Sequence, residues 1–357
     1  MYCRRVSLRI RAAVCLSLSL FLSLVMIACS TERAGVSGEF KPEILPLPEP
    51  LSTYEAMTVP DDNQMTPEKV ALGRQLFFDK RLSGDQSRSC YSCHVCEKGL
   101  TDGIPKAVGA YEKTLPRHSP TLWNIGYHKD FYWDGRSASL EKQALAAWKG
   151  GNMGAEGKEA EIVARINALE GYRKQFQQVF ANDATPENIM MAISAFERTI
   201  INGDTAWDKF RAGDQSALSD AAKRGWEVFQ QAKCNNCHDG VLFTDLQYHN
   251  VGIGMDKPNP DTGRGKITGK PEETGAFKTP TLRDVARSAP YFHDGSVATL
   301  EEAVDLMLAG GIDNPHLDRK NLEKRTITKE QREDLLAFLR SLNVVDCKLK
   351  EPPLPQK

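Results

Sequence analysis

The chain has 357 residues, with 46 basic against 47 acidic side chains and 41% hydrophobic residues. This balanced charge argues against a nucleic-acid-binding protein, and the composition is neither that of a disordered chain nor that of a protein with several membrane spans. The length exceeds what one small core needs, so two domains are expected. The function must be inferred from motifs.

Residues 1–28 have the layout of a secretory signal. Four arginines within the first 11 residues precede an apolar stretch, Val14 to Ile27, which is shorter than the roughly 20 residues that span a membrane. We therefore predict a signal peptide that directs export to the periplasm. The pair Ala28-Cys29 is also typical of lipoprotein processing, so Cys29 is a candidate lipid anchor, with ordinary signal cleavage as the alternative.

Residues 29–60 are predicted to be a flexible tether, because they hold five prolines and show no helical period. Cleavage after residue 28 would leave 42 basic against 47 acidic side chains, since it removes four arginines and no acid. No nucleic-acid partner is expected for such a mature chain.

Two five-residue motifs dominate the chemistry. Cys90 to His94 and Cys234 to His238 both read Cys-x-x-Cys-His, the attachment sequence of c-type haem. Two thiols one helical turn apart can form thioethers to the porphyrin, while the adjacent imidazole reaches the iron. A zinc site would need four ligands gathered together, and thioredoxin-type chemistry does not need the histidine. The sequence therefore predicts two covalently bound haem c groups, attached through Cys90, Cys93, Cys234 and Cys237 and ligated by His94 and His238.

Two cysteines of the mature chain remain without a predicted role. Cys96 and Cys347 lie outside the attachment thiols and the lipidation position. A disulfide between them would tie residues 347–357, the predicted tail, to the first haem domain. Two free thiols are the alternative, and the sequence leaves both open.

The chain repeats itself at a constant offset of 160 residues. Eight of the 23 positions from Ser119 to Glu141 are identical to the residues 160 positions later. Each half is therefore predicted to be one haem domain, residues 61–212 and residues 213–346, related by internal duplication.

Helix signals recur along both halves, and no segment alternates convincingly as a strand would. Pro at the first helical position and capping boxes mark four helix starts. These starts lie at Thr66-Pro67, Thr185-Pro186, Thr299 with Glu302, and Thr328 with Gln331. The predicted fold class is all-α, with two cytochrome c-like haem domains, long loops and porphyrins that supply much of the core.

The two irons are expected to differ on the side away from the motif histidine. A haem with one protein ligand can bind peroxide, whereas a haem with two strong ligands mainly transfers electrons. Met307, on the helix predicted after Thr299, is a candidate second ligand of the His238 haem, with core packing as the alternative. In the repeat Met307 corresponds to Ala147, as His293 corresponds to Trp133. The histidines outside the motifs are further candidates: His118, His128, His249, His293 and His316.

The order of motifs between about residues 67 and 343 resembles that of the bacterial di-haem cytochrome c peroxidases and the related MauG-type enzymes. The first haem motif is followed by Arg-x-Ser-Pro-Thr and Trp-Asp-Gly-Arg. The second is followed by Pro-Thr-Leu-Arg and Ala-Pro-Tyr-Phe-His-Asp-Gly. In this chain the motifs are Cys90 to His94, Arg117 to Thr121, Trp133 to Arg136, Cys234 to His238, Pro280 to Arg283 and Ala289 to Gly295.

The resemblance implies a role for each matching residue. His94 would be the proximal ligand of the peroxidatic haem, and His238 that of the electron-transfer haem. Trp133 matches the tryptophan that lies between the two haems in the family. Met307 matches the axial methionine of the peroxidases, where MauG-type enzymes carry tyrosine.

The chain departs from many of these peroxidases at its first haem. Ala110 occupies the position of their removable histidine, which implies an open first iron, as in MauG-type proteins. Asn152 occupies the position of the family's distal acid, so the sequence does not identify the group that moves peroxide's proton. Glu156 and Glu159 are the candidates, and the alternative is that both are solvated surface acids.

The resemblance also implies a calcium ion between the haems. His118 stands where the family usually has asparagine, while Ser288 and Pro290 are the other candidate partners. A homodimer, as in many relatives, is left open by the sequence.

Three functions compete. The leading hypothesis is a periplasmic enzyme that reduces hydrogen peroxide to water with electrons from a small cytochrome c or cupredoxin. The alternative is a MauG-type enzyme that oxidises side chains of a partner protein, favoured by Ala110 and Asn152 and opposed by Met307. The third is an electron carrier with both irons six-coordinate.

Overall fold

The computed structural model describes residues 41–44, 47, 51 and 57–356. The predicted signal peptide, Cys29 and most of the predicted tether therefore lie outside the described residues. Within the described part, no helix combines the length and the apolar character needed to cross a membrane. The described residues belong to one compact unit.

The described part of the chain is mostly helical, as predicted. Within residues 57–356, a single antiparallel pair joins strands β1 (Tyr248–His249) and β2 (Phe277–Lys278), which are too short to show a strand-like alternation in sequence. The helices, separated by long loops and single 3-10 turns, are α1 (Pro67–Phe78), α2 (Leu140–Lys149), α3 (Glu159–Asn167), α4 (Glu170–Phe180), α5 (Pro186–Glu197), α6 (Ala206–Arg211), α7 (Asp220–Gln231), α8 (Arg264–Thr268), α9 (Leu300–Leu308) and α10 (Lys329–Ser341).

All four predicted helix starts are confirmed. They could be predicted because each depends on contacts within one turn. Thr66 accepts a hydrogen bond from the Lys69 amide at the start of α1. Reciprocal capping boxes begin α5, α9 and α10, so that orphan backbone amides of each first turn are satisfied locally. These three capping residues are Thr185, Thr299 and Thr328.

Among the residues that the structure describes, two hydrophobic cores form, one in each half of the chain. The first surrounds the crossing of α1 and α5, and the second surrounds the crossing of α7 and α10. A glycine lies at each crossing: a Cβ on Gly73 would overlap the carbonyl oxygen of Ala192, and a Cβ on Gly225 would overlap that of Asp334. The helices of each pair therefore approach more closely than any larger residue allows at these positions.

Gly225→Ala is expected to destabilise the protein, although alanine is favoured over glycine by about 1 kcal/mol within a helix. The new methyl group would force α7 away from α10, at a cost of about 1–3 kcal/mol. Urea unfolding followed by circular dichroism measures the difference. A gain in stability would show that the helices can separate without cost.

The two halves share local geometry at the offset of 160 residues. Phe131 bridges Ser137 across a tight turn, and Tyr291 bridges Val297 across the corresponding turn. Gly135 and Gly295, with φ of 65° and 62°, occupy the same left-handed position in these turns. This correspondence is consistent with the predicted duplication, which stays a prediction.

The C-terminal segment connects the second half back to the first. Val344 packs in the first core, and Cys347 forms a disulfide with Cys96, with Cα atoms 6.0 Å apart. Of the two alternatives that the sequence left open, the structure has the disulfide. It fixes the tail beside the segment that follows His94.

Removing this disulfide as the Cys96→Ser, Cys347→Ser double variant should lower the free energy of unfolding by about 2–5 kcal/mol, since the crosslink closes a loop of 251 residues. The double variant avoids leaving one reactive thiol. The measurement is denaturant unfolding without reductant. Equal midpoints for both proteins would contradict the expectation, and addition of reductant to the wild type should reproduce the loss.

Candidate haem sites

The first cavity has a volume of about 740 Å³ and is lined by Cys90, Cys93 and His94. A 3-10 turn, Cys90–Ser92, places the two thiols. The Nδ1 atom of His94 lies 3.0 Å from the Leu100 carbonyl oxygen. A hydrogen bond donated there holds the ring and leaves Nε2 for a metal. Burial lowers the pKa of His94, which favours the neutral imidazole that binds iron.

The second cavity, about 210 Å³, repeats this arrangement with Cys234, Cys237 and His238. The Nδ1 atom of His238 lies 3.0 Å from the Phe243 carbonyl oxygen, so its Nε2 is also left for a metal. Burial lowers the pKa of His238 as it does at the first site. The local fold therefore prepares both motif histidines in the same way.

The donor set fits haem c at both sites. The four motif cysteines are unpaired, in contrast to Cys96 and Cys347. Each cavity thus offers two free thiols for thioether bonds and one oriented imidazole for the iron, which is the set that covalent haem attachment requires.

The two cavities differ at the position where a second iron ligand would come from. Met307, in the last turn of α9, lines the second cavity with His238. The corresponding residue of the first half, Ala147 on α2, lines the first cavity and carries only a methyl group. The thioether side chain is therefore present in one cavity and absent at the matching place in the other.

The loop around Ala110 supplies no ligand atom to the first cavity. Ala110 is buried, and its amide donates a hydrogen bond to the Asn152 carbonyl oxygen, at 3.1 Å. Its side chain is not among those that line the cavity. This loop therefore supplies no second ligand, and the open first iron that the resemblance implies stays a prediction.

Trp133 lines both cavities. Its indole Nε1 donates to the His118 carbonyl oxygen at 2.9 Å, and its own carbonyl accepts from the Lys278 amide at 2.8 Å. The first bond fixes the indole ring, and the second fixes the backbone of Trp133 against β2. The geometry suits a residue through which electrons pass between two haems.

Of the candidate acid–base residues, only Asn152 lines the first cavity. It is half-buried. Glu156 is exposed and lies outside the cavity lining, and Glu159 has a carboxylate oxygen 3.6 Å from the Lys149 ammonium. The contacts of these two glutamates favour solvated surface acids, while the role predicted for Glu156 stays untested.

The structure adds a residue that sequence reasoning missed. Glu197, the last residue of α5, lines the first cavity with 5% of its surface exposed. Its Oε2 atom has no hydrogen-bond partner, and burial raises the pKa of this carboxyl to about 8. The sequence held a clue outside the 160-residue repeat, because Ala195 to Arg198 is matched by Ala337 to Arg340 at an offset of 142 residues, which places Leu339 opposite Glu197.

The histidines outside the motifs take different places. His118 and His128 line the first cavity, and each has a buried Nε2 without a hydrogen-bond partner. His249 and His293 line the second cavity. His249 bonds Asp318 and Asp245, at 2.5 and 2.9 Å, whereas the ring of His293 stacks on Phe277 at 3.6 Å between centroids. Of the five, His316 lines neither of the two cavities.

The contacts at the implied calcium position do not favour calcium. His118 presents a nitrogen, and its Nδ1 lies 2.8 Å from the Ile104 carbonyl oxygen, whereas calcium prefers oxygen ligands. The Ser288 hydroxyl donates to the Val285 carbonyl oxygen at 3.0 Å. Calcium therefore rests on the resemblance alone.

Comparison with known proteins places these sites among related ones. Residues 67–216 match the family described as di-haem cytochrome c peroxidase. The chain is 35% identical to the methylamine utilization protein MauG of Methylorubrum extorquens, over 92% of this chain and 93% of that protein. It is 33% identical to the cytochrome c551 peroxidase of Nitrosomonas europaea, over 86% of this chain and 88% of that protein.

A solved structure shares the fold. A MauG-like protein associated with microbial copper homeostasis superposes with a TM-score of 0.76 at 35% identity, over 83% of this chain and 95% of that chain. The similar proteins thus carry both names, peroxidase and MauG.

Proposed function

The chain belongs to the di-haem cytochrome c peroxidase family and is an oxidoreductase of that type, and we propose that it reduces hydrogen peroxide to water with electrons from a small cytochrome c or cupredoxin. The observation that carries this proposal is the asymmetry of the two cavities. Met307 lines the second cavity, and Ala147 occupies the matching place in the first. One site is thereby suited to bind peroxide and the other to store an electron.

Each site residue has one task in this proposal. Cys90 and Cys93 would hold the first haem with His94 as the protein ligand of its iron, while Cys234, Cys237, His238 and Met307 would hold the second. Bound haem supplies the iron chemistry that reduces the peroxide O–O bond. Trp133 connects the cavities for electron transfer. Asn152 can orient peroxide by hydrogen bonding but cannot exchange a proton as a carboxyl group does.

Reduction of one peroxide to two waters consumes two electrons and two protons. The electrons come from the donor protein, and the protons must reach the first cavity through groups of the chain or through water. An acid within that cavity is therefore of functional interest.

Steady-state kinetics test the proposal. Peroxide added to the holoprotein with an excess of reduced small cytochrome c or cupredoxin should give continuous oxidation of the donor over many turnovers. Electron paramagnetic resonance of the resting protein should show one high-spin and one low-spin iron. A single oxidation event without turnover would contradict the peroxidase proposal.

A MauG-type activity is the second candidate, because Ala110 offers no ligand and the chain resembles MauG as closely as it resembles the peroxidases. Mass spectrometry of an exported protein encoded beside this chain, after incubation with holoprotein and peroxide, would reveal oxidised tryptophan or a crosslink. Two six-coordinate low-spin irons that do not respond to peroxide would instead indicate an electron carrier.

Location and assembly complete the proposal. The signal-like residues 1–28 support a periplasmic protein, and Cys29 supports a lipid anchor. The resemblance leaves a homodimer and a bound calcium ion as proposals. Radiolabelled palmitate incorporation, lost in Cys29→Ser, tests the anchor, and light scattering with and without calcium tests the other two.

A further inference from the structure

We propose that Glu197 is the proton-exchanging group of the first haem site, which takes up a proton when that haem gains an electron and releases it when the electron leaves. The inference rests on the proposed haem in the first cavity. It goes beyond the proposed activity by naming the side chain that keeps the cavity's charge constant.

The position of Glu197 in the cavity carries the first step. Met190, Ile193 and Glu197 recur at three and four residues along α5 and line the first cavity together. Two of the three are apolar, so the carboxyl lies on an otherwise hydrophobic helical face. Its Oε2 atom is buried and has no hydrogen-bond partner. An ionised carboxylate in this place would be costly without a compensating charge.

The charged groups around Glu197 supply only part of that compensation. Arg198 follows it and favours its ionisation, but directs its Nη1 atom to Glu141 on α2, at 2.7 Å. Glu141 is itself an acid and opposes ionisation of Glu197. Lys69 on α1 donates its hydrogen bonds to other partners, and Cys90 becomes a neutral thioether when haem is attached. The charge of the haem is therefore the variable one within the cavity.

In the second half of the chain, the corresponding helix position carries an apolar residue in place of the acid. α10 crosses α7 as α5 crosses α1, and Leu339 on α10, 142 residues after Glu197, lines the second cavity. The flanking residues Phe338 and Arg340 repeat Phe196 and Arg198. An apolar residue therefore satisfies the fold at this position, and packing alone does not explain a buried acid there.

The step balances in charge. The oxidised haem carries one more positive charge than the reduced haem, which lowers the proton affinity of a carboxyl in the same cavity. When the donor protein delivers one electron, one proton moves from solvent to the Glu197 carboxylate. When the electron leaves for peroxide, the proton is released close to the oxygen that must become water. By linkage, protonation and reduction favour each other equally.

Spectroelectrochemical titration of the holoprotein between pH 6 and 9 tests the proposal, with Glu197→Gln as the variant. Glu187→Gln is the matched control, since Glu187 lies exposed in the first turn of the same helix. In the wild type and the control, the reduced-to-oxidised ratio of the first haem at fixed potential should fall by up to tenfold for each unit by which the pH rises. This corresponds to a fall in the reduction potential of up to about 59 mV per pH unit for one electron. The fall should become at least threefold smaller per pH unit in Glu197→Gln, with the second haem unchanged.

Redox difference infrared spectroscopy provides an independent readout. A carboxylic C=O band should appear on reduction of the wild type and of Glu187→Gln, and it should be absent from Glu197→Gln. A wild-type potential that does not depend on pH, or equal slopes in both variants, would overturn the proposal. If Glu197→Gln fails to fold, Glu197→Leu, the residue of the matching position, takes its place.

These outcomes separate the inference from the proposed function. Loss of the pH dependence in Glu197→Gln supports the inference even if the wild type shows no peroxidase turnover. Peroxidase turnover with equal slopes in the wild type and Glu197→Gln overturns the inference and leaves the peroxidase proposal standing.

Discussion

The Met307→Leu variant is expected to lower the reduction potential of the second haem by an amount on the order of 100 mV, which corresponds to roughly 50-fold in the electron equilibrium. Met307 lies in the cavity of His238, and a thioether ligand favours reduced iron. Leucine has nearly the same volume, so the change removes the sulfur and leaves the packing largely intact. Peroxidase turnover should fall because the second haem no longer holds its electron at a useful potential.

Met190→Leu is the matched control for this experiment. Met190 is buried, lines the first cavity and belongs to the other half of the chain. The same substitution there should leave the potential of the second haem unchanged. Potentiometric titration with optical detection measures both variants, and electron paramagnetic resonance should show new high-spin iron only in Met307→Leu. An unchanged potential in Met307→Leu would remove Met307 as an iron ligand.

Features that depend on neighbouring residues could be predicted from the sequence. The helix starts at Thr66, Thr185, Thr299 and Thr328 follow from side chains that bond amides within one turn. The convergence of Cys90 with His94 follows in the same way from motif spacing. The placement of Met307 beside His238 was reached through the repeat and the family resemblance.

Features that depend on long-range packing could not be predicted from local sequence patterns. The Cys96–Cys347 disulfide joins residues 251 positions apart, and the sequence left it open against two free thiols. Glu197 enters the first cavity because α5 crosses α1, which no local pattern encodes. Glu156 is close to Asn152 in sequence, yet the turn after Asn152 leaves its side chain in solvent. Proximity in sequence was therefore a poor guide to which acid faces the cavity.

The Trp133→Phe variant is expected to slow electron transfer between the haems by about tenfold or more, equivalent to at least about 1.4 kcal/mol in the barrier. Trp133 lines both cavities, and its indole is held by the bond from Nε1 to the His118 carbonyl oxygen. Phenylalanine keeps an aromatic ring but loses that bond and the indole that lies between the sites. The free energy of unfolding should fall by about 1–3 kcal/mol, because a buried acceptor loses its donor.

Trp148→Phe separates the electron-transfer effect from the packing effect. Trp148 is buried, donates from Nε1 to the Leu82 carbonyl oxygen at 2.8 Å, and lines the first cavity but not the second. The two variants should therefore lose similar stability. Stopped-flow addition of peroxide to protein reduced only at the second haem reports how fast that haem is oxidised. Oxidation should be slowed in Trp133→Phe alone, and an equal delay in both variants would assign the effect to packing of the first cavity.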